Sequence, residues 1–77
     1  MHPVIFYSTP TCPFCDMVKD FLREHNVPVH NFDVASNPEK LREMISKTGQ
    51  TAVPVIDIGG KIIIGFDEAA LLRALGI

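Results

Sequence analysis

Two cysteines, Cys12 and Cys15, are the only ones among the 77 residues, and Pro13 and Phe14 separate them. Thiols at this spacing can close a small disulfide or supply half of a tetrahedral metal site. Zinc would need two further ligands. The candidates are His2, His25 and His30, and none stands at ligand spacing with another. The redox reading needs a turn that presents one sulfur to the N-terminus of a helix. There the unpaired N–H groups and the positive end of the helix dipole favour thiolate over thiol. Only the thiolate attacks a disulfide sulfur.

The flanking sequence predicts that turn. Pro3 to Ser8, with Val4, Ile5, Phe6 and Tyr7, reads as a central strand buried on both faces. Thr9-Pro10-Thr11 breaks it. Thr11 is placed to cap the next helix, and Pro13 suits its first turn. From Pro13 to His25, the apolar residues Phe14, Met17, Val18, Phe21 and Leu22 fall on one helix face. Asp16, Lys19, Asp20, Arg23 and Glu24 take the other. Cys12 is then the attacking thiol at the helix start. Cys15, a turn further in and more buried, is the resolving thiol that releases the reduced substrate. Lys19 adds positive potential near the pair, and Asp16 opposes it.

The remaining chain reads in the same way. Asn26 can end the helix in a left-handed conformation, and Pro28 confirms the stop. Val29 to Val34 alternates imperfectly and predicts a short strand. Ser36 and Glu39 have capping-box spacing, with Pro38 in the first turn. Leu41, Met44 and Ile45 give the second helix a narrow apolar face, and Gly49 ends it. Val53 to Ile58 and Lys61 to Ile64 predict two strands joined by a Gly59-Gly60 hairpin turn. A proline at position 54 is allowed at a strand start. Asp67 caps a last helix that turns Ala70, Leu71, Leu72 and Leu75 inward, and Gly76 closes it. The order is β-α-β-α-β-β-α. The first two strands are parallel through a right-handed crossover and the last two form a hairpin. The fold class is α/β: one mixed four-stranded sheet flanked by helices, with residues 1–77 as a single domain.

Composition sets the boundaries. At 47% hydrophobic the chain can build a core, and its net charge of -2 with mixed signs gives no basic stripe for nucleic acid. The first residues lack a basic, long-apolar leader, and no run approaches the roughly 20 residues of a membrane span. The expectation is a cytoplasmic protein, where a Cys pair is catalytic or metal-binding rather than a structural staple.

The sequence resembles the glutaredoxin family of the thioredoxin fold over nearly its whole length. The marks are Tyr7 ending the first strand, Cys12-Pro13-Phe14-Cys15 opening a helix, Val53-Pro54 before the third strand, and Gly65-Phe66-Asp67 before the last helix. Family members commonly have Cys-Pro-Tyr-Cys, so Phe14 is a mild variant. The resemblance implies a disulfide reductase or electron carrier, with catalytic Cys12 and Cys15. It also implies a cis bond before Pro54 and a peptide or glutathione groove formed by Thr11, Pro13, Phe14, Val53, Pro54, Gly65, Phe66 and Asp67. It implies no bound cofactor beyond the redox-active Cys12–Cys15 disulfide, no metal, protein disulfides as substrates, and a monomer. Two departures bear on the electron donor. Glutathione-binding members usually carry Lys where Thr9 stands and Gly-Gly where Ile64-Gly65 stands. The chain therefore looks closer to short glutaredoxin-like redoxins reduced by a flavoprotein of the thioredoxin-reductase type. It lacks the Trp-Ser-Gly-Phe-Arg-Pro stretch of those that serve ribonucleotide reductase. The alternatives are glutathione as reductant and a module that holds an iron–sulfur cluster or metal through Cys12.

Overall fold

The computed structural model describes residues 3–77, so His2 lies outside the described residues. The elements follow the expected order: β1 (Val4–Ser8), α1 (Pro13–Glu24), β2 (His30–Asp33), α2 (Pro38–Thr48), β3 (Val55–Ile58), β4 (Lys61–Ile64) and α3 (Glu68–Leu75). One mixed sheet has the strand order β2-β1-β3-β4. β1 runs parallel to β2 and antiparallel to β3, and β4 returns antiparallel beside β3.

Register divides the core. Phe6 stands opposite Ile56 and Tyr7 opposite Val55, and successive strand side chains point to opposite faces. Phe6, Ile56 and Ile63 therefore join Val18, Phe21 and Leu22 of α1 and Leu71 of α3 on one face. Tyr7 and Val55 join Met44 of α2 on the other. Phe6, Leu22, Ile56 and Leu71 are almost wholly buried, each stabilising the fold by about 1.5–3 kcal/mol. The continuous apolar run in β1 thus reflects a strand covered on both sides.

Several local expectations are corrected. Cys12, not Thr11, caps α1, because its sulfur accepts the Cys15 N–H. Asn37, not Ser36, caps α2 through the Lys40 N–H. Ser36 instead donates its hydroxyl to the Asp33 carboxylate. β3 starts at Val55 rather than Val53, and Pro54 has no N–H to give to a ladder. β2 is shorter than Val29–Val34. The hairpin turn at Gly59 and Gly60 has φ of 58° and 97°, the left-handed pair that a two-residue turn requires and that glycine adopts without a Cβ penalty. No described helix is long and apolar enough to cross a membrane.

Candidate active site

The register that pairs Tyr7 with Val55 and Val55 with Ile64 brings three chain segments to one end of the sheet. These are the turn after β1, the approach to β3 and the exit from β4. They carry Cys12, Val53-Pro54 and Gly65-Phe66-Asp67. Cys12, Val53 and Phe66 all pack, partly buried, against the same core cluster.

Cys12 has extended backbone, φ -116° and ψ 106°, as an N-cap should. The Cys15 N–H donates to its sulfur at 3.1 Å. A charged sulfur accepts such a bond more strongly than a neutral one. Both cysteines are free thiols; Cys12 is partly accessible and Cys15 buried. Burial pushes the Cys15 thiol up to about 12, and its hydrogen bond to Cys12 acts in the same direction. The Thr9 backbone pulls the other way, and the Asp16 carboxylate raises it further. The two sulfurs therefore differ in access. The accessible sulfur faces solvent, and the buried one lies one turn behind it.

The Val53–Pro54 bond is cis, as the resemblance implied. Pro54 is fully buried, and its carbonyl accepts the Gly65 N–H at 2.9 Å. Gly65 has φ +80°, and a Cβ there would meet nothing within 4 Å. Its requirement is backbone conformation, not space. Asp67 caps α3, its carboxylate accepting the Ala70 N–H at 3.1 Å. Phe66 meets Phe21 edge-on at 6.1 Å between ring centroids, so it joins the core. Thr11, Pro13 and Phe14 stay exposed. Lys19 and Asp16 line a cleft of about 230 Å³ on the β2 flank, with Cys15, Thr9 and Asp33. Among the described residues, no three His, Cys, Asp or Glu side chains converge as a metal site.

Sequence reasoning missed a polar network on the α2 face. Lys47 donates to Asp57 and to the Tyr7 hydroxyl, both at 2.7 Å, and Tyr7 donates to Glu43. Burial pushes Asp57 up, but Lys47 and the Gly60 N–H outweigh it and lower its pKa. Burial lowers Lys47, and Asp57 and Tyr7 more than restore it. Burial and the bond to Glu43 raise Tyr7. The available signal was Asp57 itself, a charge inside the apolar run Val55–Ile58.

Comparison with known proteins identifies the family and the fold. The family model described as Glutaredoxin matches residues 4–63. A glutaredoxin-like 8.6 kDa protein of the rubredoxin operon in Clostridium pasteurianum is 43% identical over 65 residues, 84% of this chain and 87% of that protein. Glutaredoxin 3 of Escherichia coli is 36% identical over 76 residues, 99% of this chain and 92% of that one. The crystal structure of a variant of the thioredoxin-like protein BC3987 superposes with a TM-score of 0.92 at 30% identity, covering 100% of this chain and 99% of that one.

Proposed function

This chain belongs to the glutaredoxin family, and we propose that it is a cytoplasmic dithiol–disulfide oxidoreductase, one domain acting as a monomer, with Cys12 as nucleophile and Cys15 as resolving thiol. The observation that carries the reading is the Cys15 N–H donated to the partly exposed Cys12 sulfur at 3.1 Å, with the Cys15 thiol buried one turn behind it. The Cys12 thiolate attacks a substrate disulfide. A Cys12–substrate S–S bond forms, the substrate S–S bond breaks, and the first thiolate leaves. Cys15 then attacks the Cys12 sulfur, closing Cys12–Cys15 and releasing the second thiolate. Two electrons pass to the substrate, and the Cys15 proton goes to the departing sulfur or to water. Val53-Pro54, Gly65, Phe66 and Asp67 form the groove wall opposite Cys12, with Thr11, Pro13 and Phe14 on the near side.

The electron donor in this proposal is a flavoprotein dithiol reductase rather than glutathione. Thr9 offers no cation to a glutathione carboxylate, and losing one charge-assisted contact costs about 1.5–3 kcal/mol. Ile64 is 43% exposed and immediately precedes Gly65, at a position where glutathione-binding relatives usually carry glycine. The test is reduction of the oxidised protein by glutathione with glutathione reductase, beside NADPH with thioredoxin reductase. Faster turnover with the flavoprotein supports the assignment. Equal or faster turnover with glutathione reverses it.

A further inference from the structure

Beside Cys12 two large apolar side chains face solvent, Phe14 at 59% and Met17 at 46% exposure. They stand three apart on α1 and so share a face. Phe21, four residues beyond Met17, continues that stripe and meets Phe66. The stripe therefore lies on the α3 side of α1 and leads toward Phe66, next to Gly65. The charges around it are unequal. Asp20 of α1 and Asp67 and Glu68 at the start of α3 are exposed, whereas Asp16 lines the cleft on the β2 flank. Of the two α1 cations, Lys19 lies in the cleft on the opposite, β2 flank. Arg23 sits 3.7 Å from Asp20 and offsets its charge, so the excess of acid in the rim comes from Asp67 and Glu68. An apolar strip with an acidic rim remains.

We infer that this surface docks a protein segment whose disulfide-bonded cysteine stands beside an apolar side chain and is accompanied by Lys or Arg. The apolar neighbour covers Phe14 and Met17, and the basic groups meet the rim at Asp67 and Glu68. Glutathione, with two carboxylates and no apolar side chain, matches neither feature. The inference rests on the oxidoreductase reading and adds the substrate class to it. Rim carboxylates act mainly on encounter, over a screening length of about 8–10 Å in moderate salt.

The test uses the reduced, desalted protein and symmetric peptide disulfides. The cysteine is flanked by Leu with Lys, Leu with Glu, or Gly with Lys. Each rate is divided by that peptide's rate with mercaptoethanol, which removes intrinsic differences in the disulfides. The Leu/Lys peptide is expected to react about fivefold faster than Leu/Glu at low ionic strength, with most of that ratio lost at about 0.5 M salt. It should also react about threefold faster than Gly/Lys, an advantage that Phe14→Ser removes. Glu68→Lys should lower the Lys-over-Glu ratio. Equal normalised rates for the Lys and Glu peptides, or a preference that salt does not change, would overturn the inference and leave the oxidoreductase reading intact. Failure to reduce any of the peptides would overturn both.

Discussion

The Lys47 ammonium lies 2.7 Å from the Asp57 carboxylate, joining the last turn of α2 to the middle of β3. The pair is only partly covered, with side chains 27% and 12% exposed. Tyr7, buried in β1, accepts from the same ammonium. Lys47→Met leaves Asp57 without its cation on the sheet face and is expected to cost about 1–3 kcal/mol. Asp57→Leu in the Lys47→Met background should recover much of that loss, because the unpaired carboxylate is gone. Urea unfolding of the two single variants and the double variant checks this. Additive losses would show that the pair does not couple.

The same network sets a pH window. Asp57 and Glu43 are lowered on folding, so they contribute stability that is present above the ordinary carboxyl pKa of about 4 and lost as pH falls through their folded values. Tyr7 and Lys47 are raised. Their contribution is complete below about pH 10 and lost as pH rises through the folded values. Stability should therefore be flat through neutrality and decline at both extremes. Denaturation midpoints measured across pH, with Asp57→Asn as comparison, test the assignment. The variant should lose part of the acid-side slope.

Much of this fold can be read from the chain because helix and strand periods are strong. Phe14, Met17, Val18, Phe21 and Leu22 define α1, and Gly59-Gly60 defines the hairpin. The caps were less legible. At α1 a thiol caps in place of Thr11, and at α2 Asn37 competes with Ser36 one residue away. Both are choices between neighbouring side chains that depend on backbone geometry. The cysteine spacing pointed to a redox or metal site, but it did not bring Pro54 and Gly65 to the same end of the sheet. Strand register did that, together with the Gly65 N–H to Pro54 bond. The Tyr7–Lys47–Asp57 network spans three elements and has no local pattern, so only the lone charge in β3 hinted at it.

Gly65→Ala tests how the groove wall is held. A Cβ at this position has open space but must adopt φ near +80°. The cost is conformational, about 1–2 kcal/mol. If the variant keeps its φ, folding stability falls by that amount and the Pro54 carbonyl keeps its partner. If the backbone relaxes, the bond to Pro54 is lost and disulfide reduction slows with little change in stability. Thermal melts and single-turnover reduction separate the two. A variant unchanged in both would show that Gly65 is not required there.

Cys12→Ser should abolish reduction, whereas Cys15→Ser should still attack once and stop at a mixed disulfide detectable by mass. In the proposed reaction, the second step needs Cys15 to give up its proton. Burial raises that thiol first, and the hydrogen bond to Cys12 adds to it. Burial persists when Cys12 is tied to substrate, so Cys15 stays above the ordinary thiol value of about 8.5. The resolving rate should then climb about tenfold per pH unit from neutrality to beyond pH 8 without a plateau. Stopped-flow release of the second thiol from a preformed mixed disulfide measures it. A plateau below pH 8 would show that Cys15 ionises more easily than its burial implies.

Restoring the family's usual cation tests the electron donor. Thr9→Lys places an ammonium three residues before Cys12, where glutathione-binding relatives usually carry one. One charge-assisted bond of about 1.5–3 kcal/mol corresponds to about 10- to 150-fold in glutathione-dependent turnover. Ile64→Gly, which removes the exposed branched side chain beside Gly65, should add to that gain without affecting Cys12. Reduction by the flavoprotein should change little in either variant. If both leave glutathione turnover where it was, neither the missing charge nor the Ile64 side chain sets the choice of donor.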